Sequence, residues 1–272
     1  MIETDILIAG GGIAGMSAAA RFAADGHRIM IVDPAPADIG EGTDLRTTAF
    51  LQPGIDTLKK AGVWDAIKPT GAELRVMRIV DAGGTEMTPR ETADFDGAET
   101  TQGFFGWNVS NKAARVSLMA KLETLPNVDF RFSTTVTGFT GTARYGEATL
   151  SGGETVRAKL VVAADGRNSS VVWMTPADRA QQLYNMDDAT LSAEITRDTM
   201  SMFGPLTVAS PRAVWPMISQ VPSRLISARL ALVAEAAHVV PPIGAQGLNM
   251  SLHDIETLAD LMAKAKLKGE DI

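Results

Sequence analysis

Short runs of aliphatic residues, each followed by glycine-rich or polar residues, dominate the hydrophobic pattern of this chain. Thr4 to Ala9, Arg28 to Val32 and Lys159 to Ala163 are dense in β-branched and aliphatic residues, which is typical of strands buried on both faces of a parallel sheet. Helical spacing of apolar residues follows Asn111, and it recurs over Leu248 to Lys266. Strands that alternate with helices predict an α/β fold with a mostly parallel sheet.

A glycine-rich turn joins the first two predicted strands. The G-x-G-x-x-G spacing follows the first strand directly, and the alanine-rich stretch after it has high helix propensity. An acidic residue ends the second strand about 20 residues later, as in dinucleotide-binding units. In that arrangement the glycines let the backbone approach a pyrophosphate, and the acid binds a ribose. The pattern does not separate NAD from FAD. The residues predicted to contact the dinucleotide here are Gly10, Gly12, Ile13, Ala14, Gly15 and Asp33.

A second turn of interest lies near the C-terminus. The predicted strand Arg229 to Val233 is followed by Ala-Glu-Ala-Ala-His over residues 234–238 and then by a Pro-Pro and glycine-containing turn. Such a turn, placed at the start of a long helix, delivers backbone amides to an anion or a dipole. His238 is a candidate acid–base group, although a structural role beside the turn is favoured.

The composition argues against several kinds of partner and binding site. The chain has 272 residues, a formal net charge of −7 and no cysteine, which argues against a nucleic-acid partner and excludes disulfides and thiolate ligands. The three histidines have no metal-ligand spacing, so no metal site is expected. No apolar run approaches the roughly 18 residues of a membrane span, and no signal peptide is expected before the first strand. A cytoplasmic location is therefore expected, and peripheral contact with the inner membrane stays open.

Four segments in order resemble the class A FAD-dependent monooxygenases, specifically the ubiquinone-biosynthesis hydroxylase branch. The resemblance covers the whole chain. The segments are the glycine turn with Asp33, the D-x-R-x-x-A-like stretch Asp44-Leu45-Arg46-Thr47-Thr48-Ala49, the DG-like stretch Ala164-Asp165-Gly166-Arg167, and the GD-like stretch from Glu235 to Asn249.

The resemblance implies a fold, a cofactor and a reaction. The expected fold is an α/β Rossmann-type FAD-binding domain, formed by residues 1–70, 100–166 and 229–272, with a smaller and incomplete β-sheet substrate domain at 71–99 and 172–228. The expected cofactor is FAD, reduced by NAD(P)H or another donor. The expected reaction uses dioxygen to hydroxylate an aromatic, in some relatives prenylated, phenol through a flavin C4a-hydroperoxide. Association with a membrane or a biosynthetic complex stays open. The further cofactor contacts it implies are Arg46, Arg115, Asp165, Gly166, Glu235, Pro242, Gly247, Leu248 and Asn249.

Two departures from the family pattern keep alternatives open. The usual Gly-Asp of the third motif is here Ala234-Glu235, whose carboxylate is one methylene longer. Ser170-Val171 also runs almost directly into a segment that relatives place much later, and relatives continue past the last helix, so an internal and a C-terminal segment are expected to be missing. The alternatives are another flavin chemistry, such as halogenation or prenyl reduction, and an FAD-binding remnant without activity. The halogenase sequence W-x-W-x-I-P is absent.

Overall fold

The computed structural model describes residues 1–36, 47–83, 88–164, 175–201, 204–208, 212, 214, 217–241 and 246–272. The chain divides into two compact units. Unit 1 comprises Met1–Glu73, Gly106–Ser170 and Ile218–Ile272, and unit 2 comprises Leu74–Phe105 and Val171–Met217. The assignment of an FAD-binding role and a substrate role to separate parts of the chain stays a prediction.

Strands outnumber helices in the described part of the chain. The strands are β1 (Ile2–Ala9), β2 (Ile29–Val32), β3 (Thr47–Leu51), β4 (Gly71–Leu74), β5 (Val76–Gly83), β6 (Thr88–Asp96), β7 (Gly106–Ser110), β8 (Val128–Arg131), β9 (Val136–Gly141), β10 (Gly146–Leu150), β11 (Thr155–Ala163), β12 (Ile226–Ser227) and β13 (Leu230–Leu232). The helices are α1 (Ile13–Ala24), α2 (Gln52–Lys60), α3 (Trp64–Ile67), α4 (Asn111–Glu123), α5 (Ala177–Asn185), α6 (Asp188–Asp198) and α7 (Gln246–Lys268).

The main sheet of unit 1 has the order β12-β13-β11-β1-β2-β8, with the β9–β10 hairpin joined to β11. The central strands β13, β11, β1, β2 and β8 are parallel, as the aliphatic runs predicted. Their last residues are aligned across the sheet by the pairing register. All five carboxyl ends therefore lie at one edge. These last residues are Leu232, Ala163, Ala9, Val32 and Arg131.

Both faces of the central strand β1 are covered, which accounts for its unbroken apolar sequence. Leu7 packs in a cluster with Met30 and with Leu150 of the β9–β10 hairpin. Helix α1 contacts β1, and it also contacts α4 and α7. Phe22 of α1 is fully buried. Strands β3, β7 and β4 form a second, three-stranded sheet in the order β3-β7-β4.

Unit 2 contains the β5–β6 hairpin and helices α5 and α6. One face of the hairpin is apolar, because Met77 pairs with Phe95 directly across the two strands. Both side chains are nearly half exposed, at 49% and 46%. The other face carries Arg78, whose Nε donates to Asp94 Oδ1 at 2.6 Å.

The second strand of this hairpin differs from the sequence prediction. The glycine pair at 83–84 predicts a short return strand over Thr85 to Thr88, whereas the structure places it at Thr88–Asp96. Residues 84–87 lie outside the described part of the chain. The observed strand contains Pro89 and several charged residues, so it lacks the apolar alternation that identifies strands. Pairing with β5 determines its place instead.

Candidate functional site

The carboxyl edge of the parallel sheet brings several predicted site segments together. Backbone hydrogen bonds continue one residue beyond the strands there: the Gly10 amide donates to Val32 at 2.8 Å, and the Ala164 amide donates to Ala9 at 2.8 Å. The Val233 amide donates to the last residue of β11 at 3.0 Å. The glycine turn, the residue after β2 and the turn after β13 therefore share one edge. Ligands of open α/β sheets bind outside this edge.

The glycine turn has the form that a phosphate group requires. Gly10 has a φ of 115°, which other residues rarely adopt. A Cβ on Gly15 would lie 1.8 Å from the Gly10 carbonyl oxygen, so α1 packs directly on the turn. A Cβ on Gly12 would meet no atom within 4 Å among the described residues, so this side of the turn is open. Gly12 also caps α1 without a side chain, and the first N–H groups of the helix stay available to an anion.

Asp33 is tied to the glycine turn. Its Oδ2 accepts a hydrogen bond from the Gly11 amide, and its Oδ1 accepts one from the Ala35 amide at 2.7 Å. The carboxylate thus holds the turn against the end of β2. An ionised carboxylate has about four acceptor positions, so capacity remains for the predicted ribose contact.

Arg115 reaches the same turn from α4. Its Nη1 donates to the Gly11 carbonyl oxygen at 2.8 Å. Its Nη2 is buried and has no hydrogen-bond partner within the described residues. A buried guanidinium nitrogen without a partner is costly, and it suits the oxygen of an anionic ligand. The predicted cofactor contact of Arg115 is consistent with this geometry.

The turn after β13 contains a backbone feature that the sequence reading missed. Ala234 has a φ of 58°, in the left-handed region, where a Cβ costs about 1–2 kcal/mol. The family pattern has glycine at this position, so the departure concerns the backbone as well as the longer side chain of Glu235. Glu235 Oε2 is buried and has no hydrogen-bond partner within the described residues.

His238 pairs with an acidic residue of α7 that sequence reasoning did not identify. The His238 Nε2 lies 2.7 Å from Asp254 Oδ2. The two residues are separated by 16 positions and belong to different elements, so no local pattern signals the pair. The pairing connects the turn after β13 to α7, and the role of His238 stays a prediction.

Asn249 joins α7 to the β3 strand. Its Oδ1 accepts from the Leu51 amide at 2.8 Å, and its Nδ2 donates to the Ala49 carbonyl oxygen at 2.8 Å. Gly247 and Leu248 lie in the first turn of the same helix. Contacts of these three residues with a cofactor stay predictions.

A partly buried ionic cluster joins helices α1, α2 and α7. Glu256 of α7 accepts from Arg21 Nε at 2.9 Å and from Lys60 Nζ at 2.6 Å. Burial alone would raise the pKa of Glu256, but the hydrogen bonds from Arg21 and Lys60 outweigh it and hold that pKa below its ordinary value. The carboxylate therefore stays ionised and connects α1, α2 and α7.

Four predicted cofactor contacts lie outside the described residues, namely Arg46, Asp165, Gly166 and Pro242. In the part of the chain that the structure does describe, no cluster of three or more acidic or histidine side chains is arranged to hold a metal ion. Nor does any helix there combine the length and apolar character needed to cross a bilayer.

Comparison with known proteins identifies the family. The FAD binding domain family profile matches residues 3–187 and, in a second segment, 170–271. The chain belongs to this FAD-binding domain family. FAD is therefore its cofactor. The open turn at Gly12 fits a pyrophosphate, and the buried atoms of Arg115 and Glu235 that have no partner among the described residues fit the polar groups of a dinucleotide.

Two curated relatives of this chain are named as hydroxylases. The 3-demethoxyubiquinol 3-hydroxylase of Escherichia coli (strain K12) is 28% identical, over 98% of this chain and 81% of the relative. Ubiquinone hydroxylase UbiL of Rhodospirillum rubrum is 26% identical, over 98% of this chain and 74% of the relative. Among solved structures, the probable FAD-dependent monooxygenase PqsL from Pseudomonas aeruginosa matches with a TM-score of 0.74 and 18% identity, covering 98% of this chain and 88% of that one. The similarity to PqsL shows that the two chains share a fold.

The alignment with the Escherichia coli relative also shows that this chain is shortened internally. The match to the Escherichia coli relative extends over 326 positions, and the chain has 272 residues, so at least 54 of those positions have no counterpart here. The two segments matched by the family profile overlap over residues 170–187, and the sequence predicted a missing segment directly after Ser170-Val171.

Proposed function

We propose that this chain is an FAD-dependent monooxygenase that hydroxylates the aromatic ring of a phenol, as in ubiquinone biosynthesis. The names of the Escherichia coli and Rhodospirillum rubrum relatives support this reaction class. The observation that carries the proposal is the carboxyl edge of the sheet. There an open glycine turn lies beside Arg115, and Glu235 follows β13 at the same edge. Arg115 and Glu235 each have a buried polar atom that lacks a partner among the described residues.

Each group at this edge has a binding role. The first amides of α1 and the free Nη2 of Arg115 hold the pyrophosphate, and Asp33 accepts from the adenosine ribose. Glu235 accepts from a hydroxyl of the ribityl chain. Bound FAD supplies the redox and oxygen-activating chemistry, with electrons from NAD(P)H or another donor. The amides of the first turn of α7 would stabilise negative charge on a bound flavin.

The substrate we propose is a small aromatic phenol, with or without a prenyl chain, and dioxygen is the second substrate. No protein nucleophile is needed, because the cofactor carries the chemistry. The cytoplasmic location and any contact with the inner membrane or a biosynthetic complex stay predictions.

A second candidate function is FAD binding without hydroxylation. The observation that favours it is the internal shortening, because at least 54 positions of the Escherichia coli relative have no counterpart in the 272 residues. A shortened substrate domain would exclude water from the flavin poorly, and exclusion of water suppresses side reactions at such sites.

Absorption spectroscopy followed by turnover separates these candidates. The purified protein is incubated with FAD, freed of excess FAD and examined for flavin bands. Oxygen uptake and hydroxylated product are then measured with NAD(P)H and a short-chain prenylated phenol. Equimolar FAD with hydroxylated product supports the monooxygenase. Bound FAD without product, across NADH, NADPH and chemical reduction, favours the second candidate, and a colourless protein contradicts both.

The Gly12→Ala variant tests the binding site itself. Gly12 has a φ of −70°, which alanine adopts without strain, and the added Cβ meets no described atom within 4 Å. The variant should fold like the wild type and bind FAD more weakly, since the methyl group occupies the open side of the turn. Unchanged FAD affinity would place the pyrophosphate elsewhere.

A further inference from the structure

The β5–β6 hairpin of unit 2 exposes large apolar side chains. Val76 and Ile79 are each 54% exposed, and Met77 and Phe95 are nearly as exposed. Within the described residues the two strands pair only with each other. A two-stranded ribbon is marginally stable in water unless further strands or a packed face support it. The exposed side chains therefore indicate that a partner covers this hairpin.

The internal shortening of the chain affects the same unit. Unit 2 includes Val171–Met217, and the sequence predicted a missing segment directly after Ser170-Val171. At least 54 positions of the Escherichia coli relative have no counterpart in this chain. This chain therefore has fewer residues of its own than that relative with which to cover the hairpin.

The two outer edges of the hairpin differ in chemistry. Strand β6 contains Pro89, which has no backbone N–H, and one extra residue, Arg90, between its pairs with Asp81 and Ala82. Proline and bulges are features by which proteins prevent an edge strand from pairing with another chain. Strand β5 has the sequence Val-Met-Arg-Ile-Val-Asp-Ala-Gly and contains no proline. The outer edge of β5 is therefore the edge that can accept another strand.

A second copy of β5 fits this edge. The strand has one arginine and one aspartate, so its own charge is balanced although the chain has a net charge of −7. Two identical strands that pair antiparallel are related by a two-fold axis. Residues directly opposite each other lie on the same face of a sheet. Only a register centred on one residue, which then lies opposite its own copy, satisfies both conditions.

The side chains of β5 favour one such register. A centre at Arg78 would place two guanidinium groups opposite each other, and like charges in that position are destabilising. A centre at Val80 would place Ile79 opposite Asp81 of the second copy. A centre at Ile79 places Ile79 opposite Ile79 of the second copy, which is an apolar pair.

The register centred on Ile79 also extends the apolar face of the hairpin. Met77 pairs with Phe95 across the hairpin, and Ile79 is two residues from Met77, so all three lie on one face. Pairing of two copies joins this face to its equivalent. The resulting sheet has four antiparallel strands and one continuous apolar face, which meets the requirement that a single hairpin does not.

We propose that β5 pairs antiparallel with β5 of a second copy of this chain, centred on Ile79, so that two hairpins form one four-stranded sheet. The proposal does not rest on FAD binding or on hydroxylation, because the contacts that carry it lie within the hairpin. The strand has eight residues, which is few for a specific interface. We therefore expect a dimer with a dissociation constant roughly in the micromolar range.

Sedimentation velocity of the full chain tests the dimer. Its mass should rise with concentration from 28.8 kDa to twice that value. Ile79→Lys and Ile79→Glu should each fold as the wild type does, because the side chain is exposed, and should each raise the dissociation constant by about 10-fold or more through like-charge repulsion. An equimolar mixture of the two variants should form the dimer again, because Lys then lies opposite Glu. Leu261→Lys is the matched control, since Leu261 of α7 is 57% exposed, and it should dimerise as the wild type does.

The lack of cysteine in this chain allows a direct test of the register. Opposed residues of an antiparallel pair have Cα atoms about 4.5–5.5 Å apart, and a disulfide joins Cα atoms about 4.4–6.8 Å apart. Ile79→Cys should therefore form a disulfide-linked dimer on mild oxidation. Val80→Cys should not, because position 80 lies opposite position 78 of the second copy. Leu261→Cys, the exposed control, should also stay unlinked.

Each contrary result overturns the proposal. A wild type that stays monomeric up to about 100 μM does so, as does an Ile79→Lys variant that still dimerises. Linkage of Val80→Cys without linkage of Ile79→Cys refutes the register. A monomer that binds anionic phospholipid vesicles, and loses this binding in Ile79→Lys, assigns the strand to a membrane surface instead. If the charged variants do not fold, the cysteine variants decide, and a failure to bind FAD bears only on the proposed function.

Discussion

Replacing Gly15 with alanine tests the packing of α1 on the glycine turn. The new Cβ would lie 1.8 Å from the Gly10 carbonyl oxygen, whereas carbon–oxygen contacts normally begin near 3.3 Å. The helix and the turn must therefore separate by about 1.5 Å. The oxygen belongs to the backbone and cannot rotate away as a side chain can. Insertions of this kind cost about 1–3 kcal/mol or more, and the better helix propensity of alanine returns at most about 1 kcal/mol.

We expect a net loss of about 2 kcal/mol in the free energy of unfolding of Gly15→Ala. For a protein of this size that loss lowers Tm by about 4–8 °C. Thermal denaturation without FAD is the assay, and Gly12→Ala is the control. At Gly12 the small loss in helix capping and the reduced entropy of the unfolded chain nearly cancel. If Gly15→Ala is as stable as Gly12→Ala, the close packing of α1 on the turn is refuted.

Three further predictions concern stability. Ala234→Gly should raise the free energy of unfolding by about 0.5–1 kcal/mol in chemical denaturation, because the left-handed φ of 58° no longer strains a Cβ; a decrease would contradict this. Glu256→Gln should cost about 1–3 kcal/mol, because Arg21 loses a charged partner. Because the folded-state pKa of Glu256 is lowered, its contribution is present above its ordinary pKa and is lost as pH falls through the folded value. The stability difference between wild type and variant should therefore shrink on acidification; a constant difference would refute the assignment. Asn249→Ala should cost about 1–3 kcal/mol, because the Leu51 amide loses its acceptor, and wild-type denaturation behaviour would show that this contact is dispensable.

Local sequence patterns predicted the elements that build the site. The glycine spacing, the aliphatic runs and Asp33 each specify a strand end or a turn by neighbouring residues alone. The parallel order of the central strands follows from the same runs, because both faces of each strand must be covered. This is why the parallel sheet and the glycine turn were predictable.

Contacts between distant residues were not predictable. The Arg21–Glu256 pair joins residues 235 positions apart. Asp254 of α7 contacts His238 in the turn after β13. No periodicity records which polar side chains meet when helices pack. The left-handed φ of Ala234 was also missed, because alanine gives no sign of a backbone conformation that glycine would have signalled.

The pairing of β1 with β11 has a consequence for biosynthesis. Ala9 pairs with Ala163, so one edge of the first strand stays unpaired until more than half of the chain has left the ribosome. At about 5–20 residues per second, the roughly 150 intervening residues take about 8–30 s to synthesise. During that time the nascent chain exposes an apolar strand edge that another chain can pair with. Fragments that end before residue 155 should therefore aggregate, and chaperone capture of the nascent chain should raise the yield of folded protein.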